Sequence, residues 1–203
     1  MEINMLIKAL LRNRIKTTLL KDKEQLIEFL KEQIPVDSVV GVGDSVTLEE
    51  AGVYHLLRTG QYRLLDKYRE NLSKEEKRKL YLDNFNADFF ISSVNAISMD
   101  GKLFNMDGNG TRVAPIIYGP RKVFLIAGAN KIVADHDAAI ERIRNIAAPL
   151  DNVRLQKKNP CTKAGTCVDC KSKTKICNYL IVIQGQFDDE RIELILLDGS
   201  YGY

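Results

Sequence analysis

Ser38-Val39-Val40-Gly41-Val42-Gly43 is a short β-branched run that closes on glycine. Thr47-Leu48-Glu49-Glu50 follows it with the Ser/Thr-x-x-Glu spacing of a helix capping box. A strand passing directly into a helix is the unit of a parallel sheet covered by helices, and the rest of the chain repeats it. Behind Asp22, Leu26, Phe29, Leu30 and Ile34 keep helical spacing, and Pro35 ends that helix. Ser73-Lys74-Glu75-Glu76 opens another capped helix, reaching about Phe85. Asp88 to Val94 and Lys122 to Gly128 read as strands, and Asp137 to Ile146 as a helix closed by Pro149. Asn178 to Gln184 and Arg191 to Leu197 are the last strands, and the Gly185 to Asp189 turn between them predicts an antiparallel hairpin at one sheet edge. Met1 to Leu20 reads as a short amphipathic helix. The expected fold is one α/β domain over residues 1–203, a mainly parallel sheet flanked by helices on both faces, interrupted by a cysteine-rich loop at 156–178.

A chain of 203 residues, 45% hydrophobic and 28% charged, buries roughly 70% of its unfolded surface without covalent staples. A net charge of +3 is too even to imply nucleic acid or a membrane as partner. The longest apolar run near the N-terminus is Ala9-Leu10-Leu11, too short for a secretion signal or a spanning helix. A cytoplasmic, reducing setting follows as the expectation, in which four cysteines are not first read as two disulfides.

Two stretches leaving strands carry the residue types of a ligand site. In Gly41-Val42-Gly43-Asp44-Ser45-Val46-Thr47, glycines precede a helix N-terminus, whose N–H groups and dipole suit an anion. Gly43, Asp44, Ser45 and Thr47 are therefore binding candidates, with Thr47 as helix cap in the plainer reading. In Asn95 to Arg112, Asp100-Gly101 between Ile97 and Leu103 predicts a type I′ hairpin, and Asp107-Gly108-Asn109-Gly110 a second turn. Asn95, Asp100, Asn105, Asp107 and Asn109 form either a polar pocket or two self-satisfied turns. Arg112 and Lys131 are the cations for an anionic ligand, Arg112 having the alternative role of a brace to Asp107 or Asp100.

Every cysteine lies in one lysine-rich loop, Cys161-x5-Cys167-x2-Cys170-x6-Cys177. Lys157, Lys158, Lys163, Lys171, Lys173 and Lys175 face only Asp169 in charge, which offsets a thiolate-held centre and favours deprotonated sulfur. Four thiolates suit a 4Fe-4S cluster or zinc, and the long spacings suit the larger cluster better. The leftover positive charge would steer an acidic redox protein.

Gly41-x-Gly43-x-Ser45-x-Thr47-Leu48-x-Glu50-x-Gly52, Ala87-Asp88, and Asn95-Ala96-Ile97 through Asp100-Gly101 to Asn105-x-Asp107-Gly108-x-Gly110-x-Arg112 together resemble the lactate-utilisation (LUD) domain family. Gly119-Pro120-x-Lys122-Val123, Gly128-x-Asn130-Lys131-Ile132-Val133, Glu141-Arg142-Ile143, Ala147-Ala148-Pro149 and Pro160-Cys161 extend the likeness from about Leu20 onward. The chain departs from the family at Asp44, where Gly is usual, and a carboxylate there would weaken an anion site. The resemblance implies a fold like the sugar-phosphate isomerase and CoA-transferase group, with ligands at the carboxyl ends of the strands. It also implies the company of iron–sulfur proteins in lactate oxidation. Two functions follow as expectations. One is an iron–sulfur accessory or electron-transfer protein of organic-acid utilisation with a small-molecule pocket. The other is an enzyme or binding protein for an anionic metabolite (a sugar phosphate, CoA ester or hydroxy acid) with a structural zinc or Fe–S site.

Overall fold

The computed structural model describes residues 2–203. Helix α1 (Glu2–Arg12) buries Leu6, Ala9 and Leu10, and Arg14 at φ 59° turns the chain into strand β1 (Lys16–Leu20). The N-terminal segment is thus a helix and a strand, not one amphipathic helix. Asp22 caps α2 (Lys23–Gln33) through the Gln25 N–H, ahead of β2 (Val39–Val42). Then come α3 (Val46–Glu50), α4 (Val53–Thr59), β3 (Arg63–Leu64) and α5 (Lys74–Asp83), the last with a complete Ser73–Glu76 capping box. Strands β4 (Phe89–Ser93), β5 (Ala96–Ser98) and β6 (Leu103–Asp107) lead to α6 (Val113–Ile117) and β7 (Lys122–Gly128). The chain continues through β8 (Ile132–Val133), α7 (His136–Arg142), α8 (Ala148–Arg154), α9 (Cys161–Ala164), β9 (Tyr179–Ile183) and β10 (Ile192–Leu197).

Six strands form a wholly parallel sheet in the order β1-β10-β7-β4-β2-β3. Alternation along β7 shows why both faces are covered. Phe124 and Ile126 pack with Leu26 and Leu30 of α2 and Leu48 of α3, while Val123, Leu125 and Ala127 pack with Leu6 and Leu10 of α1 and Ile116 of α6. The second face also carries a four-stranded sheet, β8-β5-β6-β9, that the sequence did not announce. Its Ala96 and Phe104 pack on Ala139 of α7.

The expected hairpin between the last two strands does not form. β10 is buried at every position and lies between β1 and β7, whereas β9 leaves for the small sheet and pairs antiparallel with β6. An unbroken apolar run is the mark of a central parallel strand, which outweighs the short connection. The Asp100-Gly101 turn does join β5 to β6, but Gly101 alone has positive φ, at 82°. Gly101 N donates to Ser98 O at 2.8 Å and Ser98 N to Lys102 O at 3.1 Å, giving a three-residue loop rather than a type I′ turn.

Candidate functional site

Because β2, β4 and β7 are parallel neighbours, Gly43 and Asn95 both leave the carboxyl edge of the main sheet. A cleft of about 860 Å³ opens at that edge. Asp44, Ser45, Thr47, Asn95, Asp107, Asn109, Arg112 and Lys131 all line it, so most of the expected ligand residues converge. Three do not meet the cleft wall. Gly43 lies behind it: a Cβ there would stand 2.3 Å from Ser92 Oγ and 3.0 Å from Arg112 Cγ, so the glycine makes room for protein, not ligand. Asn105 is fully buried behind Arg112, whose Nη1 donates to its Oδ1 at 2.8 Å. Asp100 is spent in the β5–β6 loop, paired with Lys102 at 2.7 Å and hydrogen-bonded by Ser98.

Several lining residues are braces. Asp107 accepts from the N–H groups of Asn109 and Gly110 through Oδ1, and of Arg112 and Val113 through Oδ2, each at 3.1 Å. Asn109 accepts from the Thr111 hydroxyl at 2.8 Å. Arg112 donates to Ser93 O, Asn105 Oδ1, Asn95 Oδ1 and Met106 O at 2.7–3.1 Å. Its partners are neutral rather than the expected Asp107 or Asp100, so its positive charge still reaches the cleft. Ser45, not Thr47, caps α3, accepting from Leu48 N at 3.3 Å, while its own N–H donates to Tyr54 Oη. With only five residues in α3 and these N–H groups engaged, the turn is a weak anion cradle. Asp44 is no bare carboxylate: Tyr68 donates to it at 2.7 Å and Arg154 at 2.9 Å. Burial opposes its charge, but Arg154, Lys67 and Tyr68 together hold it below the usual carboxylate range.

The cations are arranged differently. Among the described residues, none of the lining lysines, Lys67, Lys77, Lys131, Lys157, Lys173 and Lys175, makes a salt bridge. Lys131 is 2% exposed and donates to Thr47 Oγ1 at 2.7 Å, Ser93 Oγ at 2.9 Å and Val94 O at 3.0 Å. Lys67 is 8% exposed, and its ammonium makes no hydrogen bond among the described residues, resting 5.1 Å from the centre of the Tyr68 ring. Burial lowers it to about 8, against the pull of Asp44. Lys67, Tyr68, Ser93, Asp151 and Tyr203 were not singled out in the sequence; each is an isolated polar residue with no motif around it. Tyr203 reaches the cleft because the C-terminal tail packs over α3, with Thr47 Oγ1 donating to Tyr201 O at 3.1 Å.

The cysteine loop is a wall of the same cleft, through Lys157, Lys173, Thr174, Lys175, Ile176 and Asn178. Asn178 clamps it to the β6 turn, its N–H donating to Asp107 O at 3.0 Å and its amide to Gly108 O at 2.8 Å. All four cysteines are free; Cys161 is buried, and Cys167, Cys170 and Cys177 are half-buried. Burial first, then the other three thiols, raises Cys161 above its ordinary value. No three His, Cys, Asp or Glu side chains among the described residues are grouped to hold one ion. The donor set suits a thiolate-held centre in its chemistry, but the loop is not closed around a single point. No described helix is long and apolar enough to cross a membrane.

Fold and site together define an α/β protein with a cation-rich cleft at the carboxyl edge of a parallel sheet. The chain belongs to the LUD domain family, matched over residues 3–197. A DUF162 family protein from Deinococcus radiodurans, known from its crystal structure, shares the fold with a TM-score of 0.54 at 11% identity, over 98% of this chain and 96% of that one. Ribose 5-phosphate isomerase from Plasmodium falciparum is similar over 55% of this chain and 52% of its own, with a TM-score of 0.34 and 16% identity. eIF2B beta from Chaetomium thermophilum is similar over 57% and 44%, with a TM-score of 0.36 and 17% identity. No curated protein matches the sequence.

Proposed function

We propose that this LUD-domain protein binds a small organic anion, bearing carboxylate or phosphate groups, in the cleft at the carboxyl ends of β2 and β4. The observation that carries this reading is Lys67, a residue only 8% exposed whose ammonium opens on the cleft and makes no hydrogen bond among the described residues. An ammonium on a largely buried side chain, left to the cleft's solvent and the Tyr68 ring, gains a charge-assisted hydrogen bond from a bound anion. Asp44 attracts Lys67 but forms no salt bridge with it, because Asp44 and Asp151 are paired with Arg154 and Asp107 is taken by backbone. Sugar phosphates, CoA esters and hydroxy acids are the compounds to try, hydroxy acids first because of the family's name. A thermal-shift screen is expected to find stabilisation by at least one class; none from any of the three would refute the reading.

The cysteine loop is proposed to hold a 4Fe-4S cluster through Cys161, Cys167, Cys170 and Cys177, with zinc as the alternative occupant. Support comes from four free thiols in one loop, six lysines to offset their charge, and spacings better suited to a cluster than to one ion. Such a centre would supply one-electron transfer, and the lysines would steer an acidic redox partner. Protein purified without oxygen is expected to show a broad visible band with iron and sulfide. Colourless protein with stoichiometric zinc would select the alternative, and metal-free protein would remove both.

A further inference from the structure

The carboxyl end of β4 brings Ser93 against Thr47 of α3 and against Lys131, which follows β7, on the floor of the cleft. The three hydrogen bonds of the Lys131 ammonium all go to neutral oxygens. Burial, with Arg142 and Arg112 nearby, lowers it to about 7, against a weaker pull from Glu50. An amine that sheds its proton near neutral pH becomes an acceptor for a neighbouring hydroxyl. Of the two hydroxyls, Thr47 commits its proton to Tyr201 O at 3.1 Å. Ser93 has only 3.3 Å contacts, to Thr47 Oγ1 and Val94 O, as other outlets for its own. A serine hydroxyl 2.9 Å from the amine of a buried lysine, in a cleft with spare positive charge, has the parts of a Ser–Lys nucleophile once that amine is neutral and can accept.

We propose that Ser93 is a nucleophile and Lys131 its general base, forming an acyl-transfer site that takes an ester or thioester of an anionic acid. This rests on the cleft being an anion site. Ser93 Oγ bonds to the acyl carbon while its proton passes to Lys131 Nζ. The carbon–oxygen or carbon–sulfur bond of the substrate breaks, and the departing alcohol or thiol takes that proton. Water, deprotonated by the same amine, then cleaves the acyl–serine, releasing the acid and restoring the hydroxyl. Lys67 and Arg112 supply positive charge for the acid portion.

Full-length protein incubated with p-nitrophenyl acetate, and separately with a fluorophosphonate, tests this by peptide mass mapping. One adduct is expected, on Ser93, forming faster as pH rises through an inflection near 7, where Lys131 loses its proton. Ser93→Ala is expected to remove it. Lys131→Arg keeps the cation but offers no base, and should slow labelling by at least about 100-fold. Because the pH profile is read on unaltered protein, the test survives a variant that does not fold. No adduct on the unaltered protein, an adduct on Thr47 instead, or equal rates for Lys131→Arg would overturn the assignment. Thermal shifts with organic anions separate the two readings. Anions that stabilise both the unaltered protein and Ser93→Ala, with no adduct in either reagent, overturn the acyl site alone.

Discussion

Asp107 uses both carboxylate oxygens on four main-chain N–H groups, and so fixes the turn from which Arg112 reaches back beneath the cleft. Asp107→Ala is expected to cost at least about 2 kcal/mol in chemical denaturation, because partly buried donors lose their acceptor. Arg112→Met removes four hydrogen bonds to neutral acceptors and is expected to cost on the order of 3 kcal/mol by the same measurement. Asp44 carries a pH signature. Its folded pKa lies below the unfolded value, so its contribution is fully present above the ordinary carboxylate range and is lost as pH falls through the folded value. Asp44→Asn should therefore flatten the acid limb of the stability–pH curve, and an unchanged limb would count against the Arg154 and Tyr68 pairing. These braces were partly legible, since Asn, Asp and Gly in one stretch announce turns. Lys67 and Ser93 were not, because their meaning comes from neighbours distant in sequence.

The strand–helix elements were readable where period and caps agree, as at β2, α2, α5 and β7. β9 and β10 show where local reading fails. A short Gly-containing connection suggested a hairpin, yet the fully apolar β10 belongs in the sheet centre, and β9, half exposed, belongs at the edge of a sheet of its own. β1 was hidden by its exposure, since Lys16-Thr17-Thr18-Leu19-Leu20 has no strand alternation and buries no residue fully, and it was read as part of the N-terminal helix. The cysteine loop joins these elements to the site, since Asn178 ties it to the Asp107 turn immediately before β9. Replacing any one of the four cysteines by Ser is expected to lose the metal and to speed amide hydrogen exchange along Tyr179–Ile183. Unchanged metal content with unchanged exchange would argue that the thiols hold nothing.

At the scale of the whole molecule, a parallel sheet gathers its carboxyl ends at one edge, and the loops leaving that edge must share a space. Alternation announced the sheet, the residue types after β2 and β4 marked the two stretches, and the family resemblance put the ligand at the carboxyl ends, so together they located the cleft. Its charge did not follow, because the walls come from the loop after β3, from α8, from the cysteine loop and from the C-terminal tail. A net charge of +3 for the chain conceals six lining lysines without salt bridges. The central claim is that this charge is there for an anion, and titration calorimetry tests it most directly. The hydroxy acid, sugar phosphate or CoA ester giving the largest thermal shift is titrated into the unaltered protein and into Lys67→Met. One-to-one binding, weakened at least about tenfold in the variant and by rising salt, is the expected result. Equal affinity in both proteins, or no heat from any of the three classes, would contradict it.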